Sequence, residues 1–552
     1  MLVLRTRLSF PVVLASVATL LACTLSAQAP RYVDSLFAGM HSAAGPGCVV
    51  AADSAGRRRW LTGFGLRDLE RGGRNEATTR FEAGSVSKQV TAAALVLLAR
   101  QGRLSLDDDV RRWLPELPDL GAVTVRSLLT HQSGWRDWRN LSEMSRWTSD
   151  DAAWTNADVL ALLTRQRGLN FPPGSQYAYS NTNYVLAAML VERVSRQSLR
   201  EFTTHAFFEP LGMRATTWRD TRAQLYTLRA LGYSPRADGS FRLDTPIETV
   251  VGPSGLLTTA PDLLRWLHNL DTEQVGGAGF RDDMERVGVL VSGRPTAYAM
   301  GLEISTIGGE RVVSHAGWTG GYVAYAARMP RRALSVVVLC NGSAVNTEDL
   351  GPLLLARLAR VALPPSPVRP VLGDTSSSGP TATIAGMYRN QRTRQIVTVR
   401  AFARGISLNT WSGFTGSGPD SYRSIDGARE LVVQREPRDT ATGFTLRTTN
   451  GDSVRYLRLA DTDTTAAGLG EFVGRYRSDE TDATIELALV DTRLVAQRGA
   501  TLRDRVEPLF RDGFRVPSQS WVLTFRRNEQ GVVTAFDLSL PRTRELIFTR
   551  IP

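Results

Sequence analysis

Ser85-Val86-Ser87-Lys88 sets a hydroxyl and an amine three residues apart. On a helix that spacing is nearly one turn, so the two side chains share a face and can touch. A serine hydroxyl is a weak nucleophile until a base takes its proton, and a lysine desolvated against the positive end of a helix can be that base when neutral. Free N–H groups of the first helical turn would add donors for an oxyanion. The four-residue pattern is common by itself, and a surface lysine on a helix is its ordinary explanation. Here usage argues otherwise: of 66 cationic side chains only Lys88 is a lysine, the rest being Arg. A chain that uses Arg wherever a cation will do keeps one amine, and only lysine offers an amine whose pKa can fall far enough to act as a base.

Two further stations carry usable groups. Phe171-Pro-Pro-Gly174 is a turn leading to Tyr179-Ser180-Asn181, whose phenol and carboxamide, two residues apart, could face one cleft. Equally, the same residues could be a core tyrosine and an asparagine capping the next helix. His315-Ala316-Gly317-Trp318-Thr319-Gly320-Gly321 places a histidine at the edge of a strand, followed by small residues that let a substrate backbone lie close. A lone histidine is more often a satisfied core residue, so its claim rests on the company it keeps.

The elements that must position these groups are readable. Gly47 to Ala52 and Trp60 to Leu66 read as paired strands. Val86, Val90, Ala93, Ala94, Leu97 and Leu98 recur at helical spacing, with Gly102 closing the helix near Arg100, so Ser85 stands at a helix N-terminus. A second apolar helix runs from Tyr184 to Val194. Residues 30–362 mix strands with amphipathic helices; residues 363–381, LPPSPVRPVLGDTSSSGPT, read as a linker. Residues 382–552 turn to short period-two strands and look all-β. Within them Ile384-Ala-Gly386-Met-Tyr388-Arg389-Asn390 resembles Phe472-Val-Gly474-Arg-Tyr476-Arg477-Ser478 at an offset of 88, which suggests two related repeats, 382–460 and 470–552. These would form two small antiparallel barrels or two halves of one. Nothing in this region gathers a nucleophile with a base, so its expected role is structural, lid-like or oligomerising.

Composition narrows the function classes. The chain has 552 residues, 42% hydrophobic and 22% charged, which suits a globular protein of several domains. Its net charge of +12 raises nucleic acid as a partner, but the Arg residues are dispersed and the only compact basic run is Arg57-Arg58-Arg59, so that partner is disfavoured. Arg5 and Arg7, the apolar run from Leu8 to Ala22 and the small residues at Ser26-Ala27-Gln28-Ala29 have the layout of a secretory signal cleaved after Ala27. That run is too short to span a membrane, and no other segment is long and apolar enough, so the expectation is a protein exported to the periplasm or cell envelope. Cys23, in Leu20-Leu21-Ala22-Cys23, is a candidate lipid anchor. Cys48 and Cys340 lie in Val-rich runs; two buried thiols is the favoured reading, with a disulfide the alternative in an oxidising compartment. Five His with no ligand-like spacing argue against a metal, and no cofactor is expected.

Taken together, the three stations resemble the serine β-lactamase and penicillin-binding protein superfamily, and within it the class C β-lactamase-like group with its D,D-carboxypeptidases, D-aminopeptidases and type VIII esterases. Supporting text is similar: Leu104-Ser-Leu-Asp107-Asp108, Leu128-Leu-Thr-His131-Gln-Ser133-Gly134, Gly255-Leu-Leu-Thr-Thr-Ala-Pro-Asp262 and Leu334-Ser-Val-Val-Val-Leu-Cys340-Asn341-Gly342. The resemblance covers roughly residues 30–360 and implies an α+β fold there, an antiparallel sheet flanked by helices plus a helical lobe, with the site between them; the all-β, barrel-like C-terminal region rests on its own strand pattern, although some members of the group carry β-barrel domains after the catalytic one. It implies that Ser85 is the acylated nucleophile, that Lys88 and Tyr179 share the proton work, and that Asn181 bonds the substrate amide or the Lys88 amine. The backbone N–H groups of Ser85 and Trp318, the latter just after Gly317, would be the oxyanion hole.

One departure matters. The β-lactamases of the group usually carry Lys-Thr-Gly where this chain has His315-Ala316-Gly317, so a permanent cation gives way to a group near neutrality. If His315 bound a substrate carboxylate as imidazolium, affinity for acidic substrates would fall with rising pH. The expectation is an exported serine hydrolase working through an acyl-enzyme on esters, peptides or amides, with D-stereospecific peptidases in view. The alternatives are a β-lactamase proper, or a penicillin-binding-like receptor that acylates with little turnover.

Overall fold

The runs Cys48–Ser54 and Leu334–Cys340 are apolar at nearly every position, which is what a strand needs when both of its faces are covered. In the computed structural model they pair with each other as the second and third strands of a six-stranded antiparallel sheet. Its order is Arg57–Gly63, Cys48–Ser54, Leu334–Cys340, Tyr322–Met329, Glu310–Thr319, Glu303–Ile307. Described are residues 30–38, 45–145, 153–362, 382–392, 395–402, 405–408, 412–418, 420–424, 429–436, 441–448, 453–459, 466–499 and 502–552. The expected signal segment with Cys23 and the expected linker at 363–381 lie outside them.

Alternate residues of each central strand serve opposite faces. Val50, Ala52, Val336 and Val338 pack under the helix Thr347–Ala359 and the N-terminal helix Arg31–Leu36. Val49, Ala51, Val337 and Leu339 join the main core with the helices Ser87–Arg100 and Ala260–Thr272. Beyond them a lobe of helices, including Trp138–Met144, Asn156–Leu163 and Thr182–Ser195, completes the α+β region. The first hairpin strands are shifted from the sequence expectation, to Cys48–Ser54 and Arg57–Gly63, because the Ala55-Gly56 turn sits in the left-handed region and closes the hairpin there. Cys48 and Cys340 face each other across adjacent strands and form a disulfide, which corrects the reading of two free thiols.

The C-terminal region is all antiparallel β. Eight strands from Gly386–Asn390 to Ser453–Arg458 close into a barrel. Nine more, from Gly474–Ser478 to Thr543–Ile551, form a second sheet that nearly closes: its two edge strands, Leu502–Arg505 and Glu507–Phe510, are separated in the chain by Val506 alone. The related segments open the two sheets in equivalent ways. Tyr388 donates to the carbonyl of Ile384 and Tyr476 to that of Phe472, and Arg458 and Arg550 from the last strands lie over the respective tyrosine rings. Aromatic side chains pack the interiors, Tyr388, Phe444 and Tyr456 in the first and Phe472, Phe525 and Phe536 in the second.

Candidate active site

Ser85 lies in a single 3-10 turn, Gly84–Val86, that runs straight into the helix Ser87–Arg100. The turn is pressed against the strand Glu310–Thr319 so closely that only glycine fits at both contacts. A Cβ on Gly84, whose φ is +51°, would fall 2.6 Å from the Trp318 nitrogen, and one on Gly317 would fall 2.1 Å from the Ala83 carbonyl oxygen. Pairing with the neighbouring strand Glu303–Ile307 ends at Ser314, so the His315–Thr319 stretch presents an open edge to the Ser85 turn. The amides of Ser85 and Trp318 therefore flank one spot, an arrangement suited to a developing oxyanion. His315 sits inside the long strand rather than at its end, because strand pairing with Tyr322–Met329 continues through Thr319.

Lys88 is completely buried one turn along the helix. Its Nζ lies 3.0 Å from Ser85 Oγ, 3.0 Å from Asn181 Oδ1 and 2.9 Å from the Pro253 carbonyl. Burial drives its pKa well below the ordinary lysine value; Asp137 pulls it back up, and Arg542 and Arg139 add to the depression. The neutral amine has two protons and one lone pair. Asn181 Oδ1 and the Pro253 carbonyl can only accept, so they take both protons and the lone pair faces the Ser85 hydroxyl. In that arrangement the neutral Lys88 amine is placed to accept a proton from Ser85.

Asn181 stands at the N-terminal end of the helix Thr182–Ser195 without capping it through its side chain. Its carboxamide is instead committed to Lys88 on one side and to Asp137 on the other, where Asp137 Oδ2 accepts from Asn181 N at 2.7 Å and from Nδ2 at 3.1 Å. Tyr179 faces the same cleft, with Lys88 Nζ 4.8 Å from its ring centre and the His131 ring tilted against it, centre to centre 4.2 Å. Burial holds its phenol far above the usual range, the neighbouring Ser85 hydroxyl offsetting part of this, so Tyr179 stands in the cleft in its neutral, protonated form.

His315 differs from its expected role. Nδ1 lies 2.5 Å from the Ala316 carbonyl, which can only accept, so Nδ1 carries the proton and Nε2 accepts from Tyr298 Oη at 2.8 Å. Burial, with Lys88 adding to it, pushes the imidazole down to about 3. The ring lines the cleft uncharged, with both nitrogens used, and it offers no imidazolium to a substrate carboxylate. Trp318, by contrast, is 65% exposed at the mouth.

The cleft measures about 470 Å³ and gathers Ser85, Tyr179, Asn181, His315, Gly317 and Trp318 on one wall or another. Residues that sequence reasoning passed over also line it, among them Asp137, Arg139, Arg542 and the carboxylates of Glu143, Glu303 and Glu348. Asp137 caps the helix Trp138–Met144, a cap readable from its sequence, but its bond to Asn181 is not. Arg542 belongs to the second barrel, on the turn between the strands Val533–Leu540 and Thr543–Ile551, and nothing local marks it. Tyr298, the partner of His315, likewise carried no signal. Among the described residues no group of three or more His, Cys, Asp or Glu could hold a metal ion, and no helix is long and apolar enough to cross a membrane.

Comparison with known proteins agrees with this geometry. The Beta-lactamase family model matches residues 33–360. A D-aminopeptidase of Cereibacter sphaeroides is 27% identical over 530 residues, covering 92% of this chain and 96% of its own length. A D-aminopeptidase of Brucella anthropi is 25% identical with the same coverage. The octameric penicillin-binding protein homologue from Pyrococcus abyssi shares the fold with a TM-score of 0.54, at 21% identity over 85% of this chain and 97% of its own. With Ser85 in the cleft joined to the buried Lys88 and the matched region spanning more than half of the chain, the protein belongs to the Beta-lactamase family, as a class C-like serine hydrolase.

Proposed function

We propose that this protein is a D-stereospecific aminopeptidase or amidase, exported from the cell, that also cleaves activated esters. The observation that carries the mechanism is the completely buried Lys88, whose lone pair is left for Ser85 once two carbonyl oxygens have taken its protons. Ser85 Oγ attacks the substrate carbonyl as its proton passes to Lys88, and the Ser85 and Trp318 amides receive the oxyanion. Collapse expels the amine, which takes a proton through Tyr179, and leaves an acyl ester on Ser85. Water then attacks that ester, giving its proton back along the same route and freeing the acid. Which of amine and phenol is the acylation base has been argued for such sites; the depressed Lys88 and the elevated Tyr179 favour the amine.

The peptidase reading is supported by the D-aminopeptidase relatives, whose match extends through the barrels. The neutral His315 argues against a β-lactamase that steers its substrate carboxylate from this station. Export is supported by the layout of residues 1–27, and a disulfide between Cys48 and Cys340 suits an oxidising compartment.

The test is hydrolysis of D-alanine and L-alanine 4-nitroanilides, a 4-nitrophenyl ester and a chromogenic cephalosporin, with Ser85→Ala alongside. We expect D-anilide and ester turnover, at least about a thousandfold lower in Ser85→Ala. Equal activity in that variant overturns the mechanism. Preference for the L-anilide overturns the stereochemical assignment, and fast cephalosporin cleavage would favour the β-lactamase.

A further inference from the structure

The turn Leu540-Pro541-Arg542-Thr543 is fastened to the wall of the cleft from both ends. Arg542 N donates to Asn140 Oδ1 at 2.9 Å, and the Arg542 carbonyl accepts from Asn170 Nδ2 at 3.0 Å and from Asp137 N at 3.2 Å. Arg544 N donates to Asn170 Oδ1 at 2.8 Å, and the Arg544 and Glu545 carbonyls accept from the buried Arg136 at 3.1 and 2.9 Å. The backbone is thus held, and the Arg542 guanidinium is placed 4.9 Å from the centre of the Tyr179 ring, directly beside the catalytic groups.

Its neighbours have spent their donors where Arg542 has not. Arg136 bonds Gln166, Glu480 and two carbonyls, Arg139 pairs with Glu248 at 2.9 Å, and Arg544 bonds Gln176. Among the described residues the Arg542 guanidinium makes no hydrogen bond. Its sole ion-pair contact there is Asp137, 3.8 Å away and too long for a hydrogen bond, and Asp137 Oδ2 is already satisfied by Asn181. The side chain is 49% exposed in the cleft. A guanidinium lying over an aromatic face with its N–H groups unbonded has its fork to offer, and that fork matches a carboxylate. The third station, His315, offers no cation here.

We propose that Arg542, supplied by the second barrel, is a substrate-binding residue that recognises a carboxylate on the substrate and so sets a preference for acidic substrates. The assignment rests on the reading of the Ser85 cleft as the active site. The carboxylate can belong to either part of the substrate: the free C-terminus of the departing amino acid or the side chain of the acylating one.

Binding measured on the full-length Ser85→Ala protein separates the two and needs no turnover. Titration calorimetry compares D-alanyl-D-alanine with its C-terminal amide, and D-glutamate 4-nitroanilide with D-glutamine 4-nitroanilide. Each pair is run with Arg542 intact and with Arg542→Lys, Arg542→Gln and Arg542→Glu, all checked by thermal melting. We expect the acid to bind at least tenfold more tightly than its neutral partner in one pair, which identifies the part carrying the carboxylate. That ratio should be partly kept in Arg542→Lys, collapse towards one in Arg542→Gln and invert in Arg542→Glu. No discrimination in either pair, or discrimination that survives Arg542→Gln, overturns the proposal. Failure of the native enzyme to cleave D-anilides would overturn the aminopeptidase reading separately, leaving these ratios meaningful.

Discussion

The two C-terminal barrels begin with the same Gly-x-Tyr-Arg text and use it alike, yet they stand in different relations to the chemistry. The first is a self-contained unit: Tyr388, Phe414, Phe444 and Tyr456 form a core of their own. The core of the second, with Phe472, Phe525, Phe536 and Phe548, is continuous with that of the α+β region. Across this junction Arg136 and Glu480, both nearly inaccessible, are 2.6 Å apart, and Arg136 precedes the Asp137 that holds Asn181. The first barrel meets the second through Arg389, stacked 4.6 Å from the centre of the Phe510 ring. Shared interior text therefore makes the barrel, while the connecting turns and outward residues decide whether a barrel takes part in the site.

This contrast can be broken most sharply at Glu480. In Glu480→Ala the Arg136 charge stays buried without its partner, and we expect about 3–5 kcal/mol of destabilisation in chemical denaturation. Turnover should fall with it, since Asp137 and Asn181 lose their support. A loss below about 1 kcal/mol would mean the second barrel is as loosely attached as the first. Inside the repeats the expectation is equality: Tyr388→Phe and Tyr476→Phe each strand one buried carbonyl, costing roughly 1 kcal/mol apiece in the same assay. Markedly unequal costs would show that the shared text is not used alike. At the outer contact, Arg389→Ala removes a stacked cation worth about 0.5–1 kcal/mol and should leave kcat/KM for the D-anilide unchanged.

The finest distinction is electrostatic. The proposed mechanism needs Lys88 neutral, so kcat/KM should fall as pH drops through the Lys88 pKa, which burial has depressed and Arg542 depresses further. Removing the Arg542 charge makes the ammonium easier to form and should move the acid limb to higher pH. Asp137→Asn removes a charge that favours the ammonium and should move it lower. Arg392→Gln, on the first barrel, should leave the limb in place. Matched pH–rate profiles check all three. The His315 imidazole, already deprotonated above about pH 3, should add no step near neutrality.

Much of the site was legible because it is local. Ser85 and Lys88 meet through helical spacing alone, and the loss of every other lysine marked the amine as chemical. Tyr179 and Asn181 were found by proximity to a helix start, although the sequence left open whether they pack or react. The period-two strands and the Gly-x-Tyr repeat announced the β region for the same reason, since alternation is a property of neighbouring residues.

What the sequence by itself determined, then, were groups whose geometry is set within one turn or one strand. The tertiary structure decided the rest. It drew Asp137 to Asn181, closed the Cys48–Cys340 bond between strands at opposite ends of the α+β region, and brought Arg542 over Tyr179. It also took His315 from a titrating group to a neutral one, because desolvation is a property of everything packed around a side chain, not of its place in the chain.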